Sequence, residues 1–180
     1  MKRAVIIQGA PGVGKTTLAR KLERDLGLKL IAKDDIKEYL YDRLGPPADR
    51  AESTVYGRAA IRSVYATVDE FLKANQKVIL EGAFLPEYAQ QDLSLVVKFD
   101  ELLQLYVYCE PAVHEVRFSR RAADGTRHSG HIDSSINAAE QQDRYGAIPD
   151  IDTVMVDTTH FEEDDYQTML EKVQNTLREK

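Results

Sequence analysis

Residues 9–16 read Gly9-Ala10-Pro11-Gly12-Val13-Gly14-Lys15-Thr16, a run that matches the pattern GxxxxGK[ST] at every fixed position. The β-branched run from Ala4 to Gln8 comes directly before it and predicts a short buried strand. The stretch from Lys15 to Leu26 follows, with apolar residues on one helical face and Gly27 where a left-handed cap would end a helix. Strand, glycine-rich loop and helix therefore come in the order that phosphate binding by such a loop requires.

This loop has the chemistry of a phosphate site. Its glycines let successive backbone N–H groups curl around a phosphate at the positive end of the following helix. The Lys15 ammonium can reach the β and γ oxygens of a nucleotide, and the Thr16 hydroxyl can ligate Mg²⁺. The alternative, a structural glycine turn with a surface lysine, is disfavoured by the flanking strand and helix. We therefore predict that ATP with Mg²⁺ is bound by Gly9, Ala10, Pro11, Gly12, Val13, Gly14, Lys15, Thr16 and Thr17.

The rest of the chain alternates between predicted strands and helices. Further apolar runs predict strands at about 29–32, 77–81, 102–109 and 153–156. Periodic spacing and capping patterns predict helices at about 35–43, 54–74, 86–97, 111–122, 134–144 and 164–178. Residues 123–132 lack any period and predict a loop. Short apolar strands separated by helices predict an α/β fold with a five-stranded, mostly parallel sheet covered on both faces.

Composition narrows the class of protein. A length of 180 residues suits one domain, and a net charge of −6 argues against a protein that coats long nucleic acid with a basic face. The single cysteine can form no internal disulfide, and the four histidines lack the spacing of a zinc site. The apolar runs are far shorter than the ~20 residues that span a bilayer, and too short for a signal peptide. We therefore expect a cytoplasmic protein without a membrane partner.

Four stretches, in this order, give the chain a resemblance to a known family. They are the glycine-rich loop, Lys33-Asp34-Asp35-Ile36, Leu80-Glu81-Gly82-Ala83-Phe84, and an arginine-rich helix leading into Arg127-His128-Ser129-Gly130-His131. Together they resemble the small P-loop kinases of the group that includes polynucleotide kinase, chloramphenicol phosphotransferase and the zeta-toxin-like proteins. The resemblance implies a P-loop NTPase of the adenylate-kinase-like type, a three-layer sandwich with a small helical lid at about 117–145. It also implies ATP as the phosphoryl donor and a hydroxyl-bearing acceptor. The lack of an Asn-Lys-x-Asp guanine motif likewise favours a kinase over a switch protein.

Two adjacent carboxylates follow the second predicted strand. Asp35, with Glu38 three residues later, has the position of a helix cap. Asp34 is then left at the carboxyl edge of the sheet, where open α/β folds bind ligands. In the similar polynucleotide kinases the first aspartate of this pair is the acceptor-activating base. The resemblance therefore implies that Asp34 orients and deprotonates the attacking hydroxyl, with a contact to Mg²⁺-bound water as the alternative.

Glu81 ends the third predicted strand and is expected at the same edge. Three roles are open to it: a ligand to Mg²⁺ or its water, a contact to the acceptor, or a local structural hydrogen bond.

Four arginines lie within eleven residues of a chain that is acidic overall: Arg117, Arg120, Arg121 and Arg127. The first three share a helix face, a spacing that lets two guanidinium groups converge on a transferring phosphoryl group. The alternative is a solvated face paired with nearby acids. The resemblance to the lid helices of these kinases favours function, with Arg120 and Arg121 as catalytic residues, Arg117 at the nucleotide and Arg127 at the substrate.

The acceptor site is the part that the sequence constrains least. The similar kinases build it between the second and third strands, where Arg58 and Arg62 share a helix face and are candidates for reading an anionic acceptor. His128 and His131 are candidates for acceptor contact. Ordinary surface arginines and a loop capped by its own hydrogen bonds are the alternatives. We expect a small-molecule or nucleotide-like acceptor; a 5′-hydroxyl polynucleotide kinase and a non-catalytic ATP-binding switch stay open, and the oligomeric state is not predicted.

Overall fold

The structure, a computed structural model, describes residues 3–125, 128–131 and 137–178. Its strands are β1 (Ala4–Gln8), β2 (Lys29–Ala32), β3 (Val78–Gly82), β4 (Leu102–Tyr108) and β5 (Asp152–Asp157). Its helices are α1 (Lys15–Leu26), α2 (Lys33–Leu44), α3 (Arg50–Lys73), α4 (Pro86–Ser94), α5 (Pro111–Ala123), α6 (Ala138–Arg144) and α7 (Glu163–Arg178). Within these described ranges, no helix combines the length and the apolar character needed to cross a bilayer.

The five strands form one parallel sheet in the order β2-β3-β1-β4-β5. The predicted α/β fold is confirmed, and the sheet is parallel throughout rather than mostly so. Strand β1 lies at the centre, where Gln8 pairs with Gly82 of β3 and Tyr106 of β4. Because the carboxyl ends of parallel strands meet at one edge, the loop after β1, the start of α2 and the end of β3 come together there.

Alternate residues of the strands enter two separate cores. Val5 and Ile7 of β1 pack with α1 and α7, whereas Ala4 and Ile6 pack with α3 and α4. All four side chains are fully buried. A strand buried on both faces has a continuous apolar sequence, which is why the run from Ala4 to Gln8 predicted β1 correctly. The result is three layers, with helices on both sides of the sheet.

The start of α2 corrects one sequence prediction. The helix begins at Lys33, directly after β2, and its N-cap residue is Ala32, which makes no side-chain cap bond. Asp35 lies inside the first turn, is exposed, and forms an ion pair with Arg20 of α1. The prediction that Asp35 caps this helix is therefore wrong. Because β2 runs into α2 without an intervening residue, the carboxylates fall within the first turn, where the helix dipole favours them.

Other helix boundaries differ from the predicted ones for local reasons. Helix α3 begins at Arg50, four residues earlier than predicted, because the Asp49 side chain accepts a hydrogen bond from the Glu52 N–H at 2.9 Å. The capping pattern Asp-x-x-Glu at 49–52 was present in the sequence and could have located this start. Helix α4 ends at Ser94 rather than near residue 97. The predicted start of the helix at 134 lies outside the described residues, and the described part of that helix begins at Ala138.

Candidate functional site

Two carbonyl groups of the glycine-rich loop are held in place by hydrogen bonds to side chains from distant elements. The Pro11 carbonyl lies 2.6 Å from Nε2 of His114 on α5, and the Val13 carbonyl accepts a hydrogen bond from the Thr158 hydroxyl at 2.7 Å. In a trans peptide the carbonyl and the next N–H point in opposite directions. Because the two carbonyls point toward His114 and Thr158, the N–H groups of the next residues, Gly12 and Gly14, point the opposite way, toward the side where an anion would bind.

His114 is a loop support that the sequence analysis missed. It is fully buried, and burial lowers the pKa of its imidazole against the smaller effect of the Pro11 carbonyl. The neutral ring therefore carries its proton on Nε2 and donates it to Pro11. Its other nitrogen, Nδ1, lies 3.5 Å from Nε2 of Gln142 on α6. The spacing of three residues between His114 and Arg117 on one helix face is a signal that could have drawn attention to it.

Arg117 lies on the outer side of the loop. Its Nη1 and Nη2 atoms donate to the hydroxyl and the carbonyl of Thr158 at 3.0 and 2.6 Å. Since Thr158 bonds to Val13, Arg117 supports the loop through one intermediate residue. Its direct contact with a nucleotide stays a prediction.

Gly9 is required by packing against the neighbouring strand. Its φ angle is 148°, a conformation that side chains rarely adopt. A Cβ atom at this position would lie 2.1 Å from the carbonyl oxygen of Val107 in β4. The first glycine of the motif is therefore needed because the loop backbone passes so close to β4 there, independently of any contact with phosphate.

A charged cluster lies where the loop meets β3. The side chains of Lys15 and Glu81 are only 6% and 5% exposed, and Lys15 Nζ lies 4.0 Å from Glu81 Oε1. Lys15 Nζ also donates to the Ala10 carbonyl at 2.7 Å. Burial lowers the pKa of Lys15 and raises that of Glu81, and each charge opposes the shift of the other. An ammonium held at this place fits the phosphate oxygens of a nucleotide.

The residues at the edge of this cluster fit a divalent cation. The Thr16 hydroxyl donates to Glu81 Oε2 at 3.3 Å, so a hydroxyl oxygen and a carboxylate oxygen lie side by side. Hydroxyl and carboxylate oxygens are the hard donors that Mg²⁺ takes in proteins. Thr17, the last residue of the predicted nucleotide site, is exposed in the first turn of α1.

Asp34 lies in the first turn of α2 with one carboxylate oxygen, Oδ1, 2.9 Å from Lys33 Nζ. Burial by itself raises the pKa of Asp34, but the Lys33 ammonium, with smaller contributions from His131 and Lys15, outweighs it and holds the pKa well below its ordinary value. Asp34 is therefore ionised at neutral pH. Lys33 belongs to a stretch that the sequence analysis quoted, but no role was predicted for it.

A cleft of about 750 Å³ opens at this edge of the sheet. It brings together the predicted acceptor base and three of the predicted acceptor contacts: Asp34, Arg58, Arg62 and His131. Lys15 lines its other end. Residues that are far apart in the sequence therefore share one space, with the phosphate loop at one end and α3 along one wall.

The arginines of α5 do not line this cleft in the described part of the chain. Arg120 is exposed and Arg121 is half-buried. The charge of Arg121 acts on Lys15, where it adds to the lowering of the lysine pKa by burial. Arg127 lies outside the described residues.

Residues 128–131 dock onto α2. His128 Nε2 lies 3.1 Å from Asp42 Oδ1, and His131 Nε2 lies 2.9 Å from Glu38 Oε1. His131 reaches the cleft, whereas His128 is outside its lining. The two predicted acceptor histidines thus differ in one respect: both contact α2, but of the two it is His131 that lines the cleft.

Gly130 fits closely against the buried ring of Tyr41. A Cβ atom at Gly130 would lie 2.4 Å from Cδ2 of that ring. The ring is held by Tyr56, whose centroid is 5.4 Å away, and by a hydroxyl contact of 3.3 Å to Ser53. A side chain at Gly130 would therefore push the docked segment off α2.

Gln8 is a second residue that the sequence analysis missed. It is fully buried, and its Nε2 donates to the carbonyls of Phe84 and Gly146 at 2.8 and 2.9 Å. Its Oε1 accepts from the Phe84 N–H at 3.0 Å. These bonds join the end of β1 to the loops that follow β3 and α6. Phe84 and Tyr145 of these loops line one side of the cleft.

Comparison with known proteins gives consistent results. Residues 5–145 match the model of a family described as an AAA domain. The chain is similar to a crystal structure of a protein assigned as a kinase from Chloroflexus aurantiacus, with 30% identity, a TM-score of 0.87, and 98% of this chain and 99% of that chain covered. No curated protein matches the chain by sequence.

Two more distant structures share the fold. A gluconokinase from Sinorhizobium meliloti is 16% identical with a TM-score of 0.61, covering 98% of this chain and 97% of that chain. A shikimate kinase from Bacteroides thetaiotaomicron is 17% identical with a TM-score of 0.58, and 98% of each chain is covered.

Proposed function

Because the chain belongs to the AAA domain family and is a member of the small P-loop kinases, we propose that it transfers the γ-phosphoryl group of ATP to a hydroxyl of a small molecule. The observation that carries this proposal is the shared cleft, in which Lys15 and Asp34 line one space. In this proposal the lysine binds the donor and the aspartate orients the acceptor. We further propose that the protein works in the cytoplasm, where ATP is abundant and the lone Cys109 stays reduced.

The donor end is formed by the loop and its neighbours. ATP with Mg²⁺ supplies the phosphoryl group and the ADP leaving group. Loop N–H groups and the Lys15 ammonium bind the phosphates, and Thr16 and Glu81 hold the metal. In this proposal Arg120 and Arg121 supply positive charge for the oxygens of the transferring group from outside the described lining of the cleft, and Arg117 keeps the loop in place through Thr158.

Asp34 acts at the acceptor end. Its carboxylate accepts a hydrogen bond from the acceptor hydroxyl and turns the oxygen toward the γ-phosphorus. Because its pKa is held low by Lys33, Asp34 is a weak base, and orientation is its larger contribution. Phosphoryl transfer suits such a group, since it depends mainly on positioning and electrostatic stabilisation.

The test uses γ-labelled ATP, Mg²⁺ and the small-molecule fraction of a cell extract. We expect label in a new compound with the unchanged protein, and none with Lys15→Ala. Asp34→Asn should lower transfer by on the order of 100-fold or more while ATP binding persists.

The adjacent carboxylate provides a matched control. Asp35→Asn removes the same charge one residue away, at an exposed position that pairs with Arg20 instead of the cleft. It should keep near-normal transfer. Equal losses in the two variants would contradict the role of Asp34, and label released only as free phosphate would favour an ATPase or an ATP-binding switch.

A further inference from the structure

The acceptor side of the cleft is strongly basic. Of the described residues that line it, seven are Lys or Arg and two are Asp, in a chain whose net charge is −6. Lys15 belongs to the phosphate loop, and Lys33 is paired with Asp34. Asp92 is then the remaining acid of the lining, against five basic residues: Lys37, Arg50, Arg58, Arg62 and Arg144.

Arg58 and Arg62 are the two basic residues best placed to hold a ligand. They lie one turn apart on α3, and both are exposed. No ion pair or hydrogen bond of either side chain occurs among the contacts of the described residues. Like charges four residues apart on a helix repel each other, so a bound anion would relieve this arrangement. Two guanidinium groups with ten N–H donors between them suit a carboxylate or a phosphate.

Gly57 widens the cleft beside Arg58. It lies inside α3, where glycine weakens a helix relative to alanine, and its backbone does not adopt a positive φ angle. A Cβ atom at this position would meet Lys37 Cε and Nζ at 3.9 Å, an ordinary contact. Packing within the protein therefore does not require a glycine here. The space it leaves belongs to the cleft.

We propose that the acceptor is a small hydroxy compound carrying a carboxylate or a phosphate, that Arg58 and Arg62 bind this anion, and that Gly57 makes room for it. The inference rests on the kinase function proposed above. A cleft of about 750 Å³ that also holds the transferring phosphate at Lys15 takes a metabolite-sized molecule rather than a polymer. Tyr65, stacked on Phe84 at 5.9 Å, offers an apolar wall for the carbon skeleton.

The reaction then balances as an ordinary phosphoryl transfer. The acceptor oxygen forms a bond to the γ-phosphorus while the bond from that phosphorus to the β–γ bridging oxygen breaks, and the electron pair leaves with ADP. The hydroxyl proton passes by way of Asp34 to solvent. The anion at the two arginines takes no part in the bond changes, so its contribution is to binding and orientation.

The first experiment identifies the charge of the acceptor. Extract metabolites, freed of polymers by ultrafiltration, are passed over a quaternary-ammonium resin at neutral pH. The flow-through and the salt eluate are then tested for transfer of label from γ-labelled ATP. We expect acceptor activity in the salt eluate. Prior elution at about pH 2.5 distinguishes the two anions, because it releases carboxylates, whose pKa is near 4, and retains phosphate monoesters.

The outcomes separate the two proposals. Activity confined to the flow-through would overturn the anionic acceptor and leave the kinase function standing. Transfer with neither fraction, nor with the unfractionated extract, would overturn both. Efficient labelling of an oligonucleotide with a 5′-hydroxyl would overturn the metabolite-sized acceptor in favour of a polynucleotide substrate.

Variants then test the residues. Arg58→Gln and Arg62→Gln should each raise KM for the retained acceptor about tenfold or more and leave KM for ATP unchanged. Arg24→Gln, which removes an exposed guanidinium from α1 outside the cleft, is the matched control and should change neither constant. Unchanged acceptor KM in both cleft variants would overturn the assignment.

Gly57→Ala tests the acceptor site with a variant that is not expected to lose stability. Alanine is the better helix former, so the variant should unfold at the same or a higher temperature, while the added methyl group raises the acceptor KM. A stable variant with unchanged acceptor KM would show that the ligand does not approach Gly57.

Discussion

Replacing Gly9 with alanine should damage the protein through one defined contact. The added Cβ atom would lie 2.1 Å from the Val107 carbonyl oxygen, whereas carbon and oxygen atoms normally approach to about 3.3 Å. The loop or the end of β4 must therefore move by about 1.2 Å. Because the backbone fixes the positions of both the added Cβ atom and the Val107 oxygen, no side-chain rotation can relieve the clash.

The expected loss can be estimated from two contributions. Holding alanine at the φ angle of 148° costs about 1–3 kcal/mol, and forcing an extra methyl group into a packed site costs about 1–3 kcal/mol. We expect Gly9→Ala to lower the free energy of unfolding by about 4 kcal/mol. Gly27→Ala provides the comparison, since Gly27 has a φ angle of 63° and no atom lies within 4 Å of the place that an added methyl group would take. Its expected loss is about 1 kcal/mol.

Urea denaturation followed by circular dichroism measures both variants against the unchanged protein. With a urea dependence of about 2 kcal/mol per molar, the midpoint should fall by about 2 M for Gly9→Ala and about 0.5 M for Gly27→Ala. Since Gly9 opens the phosphate loop, the first variant should also bind ATP more weakly. The reasoning is refuted if Gly9→Ala loses no more stability than Gly27→Ala.

Three further predictions follow from the contacts of α2. In Lys33→Met, burial of Asp34 is opposed only by the smaller effects of His131 and Lys15, so the pKa of Asp34 rises and the acid limb of kcat/KM should move to higher pH by about one unit or more. An unmoved limb would assign that limb to another group. Asp35→Ala removes only an exposed ion pair, so urea denaturation should show a loss of about 0.5 kcal/mol or less in the free energy of unfolding. A loss near 2 kcal/mol would instead support a capping role for Asp35. Gly130→Ala should clash with Tyr41 and speed amide hydrogen exchange in residues 128–131, and unchanged exchange would show that this close fit does not hold the segment.

Most elements of the fold could be predicted from local sequence. The apolar run before Gly9, the loop and the helical stretch up to Gly27 are each specified by neighbouring residues, and all were predicted within a residue or two. The end of β2 and the start of α2 show the limit. Whether Asp35 caps a helix depends on where β2 stops, and the strand's end is set by pairing with β3 rather than by the residues around Asp35.

The site was predictable where a motif describes it, and less so where distant elements meet. Lys15 and Thr16 follow from the motif, but the contact between His114 and Pro11 joins residues 103 positions apart. Gln8 reaches Gly146 across 138 positions. Such contacts depend on how α5 and α6 pack over the loop, and no periodicity in the chain encodes that.

The two ends of the cleft differ in how freely they can change over evolutionary time. At the donor end, Lys15 and Glu81 are buried partners, so a substitution of either leaves an uncompensated charge inside the protein. At the proposed acceptor end, Arg58 and Arg62 are exposed on α3, so their replacement should cost the fold little stability. If the proposed acceptor site is correct, single substitutions along α3 would change the acceptor of such a kinase and leave its nucleotide site intact. This division makes the scaffold a ready starting point for diverging specificities after gene duplication.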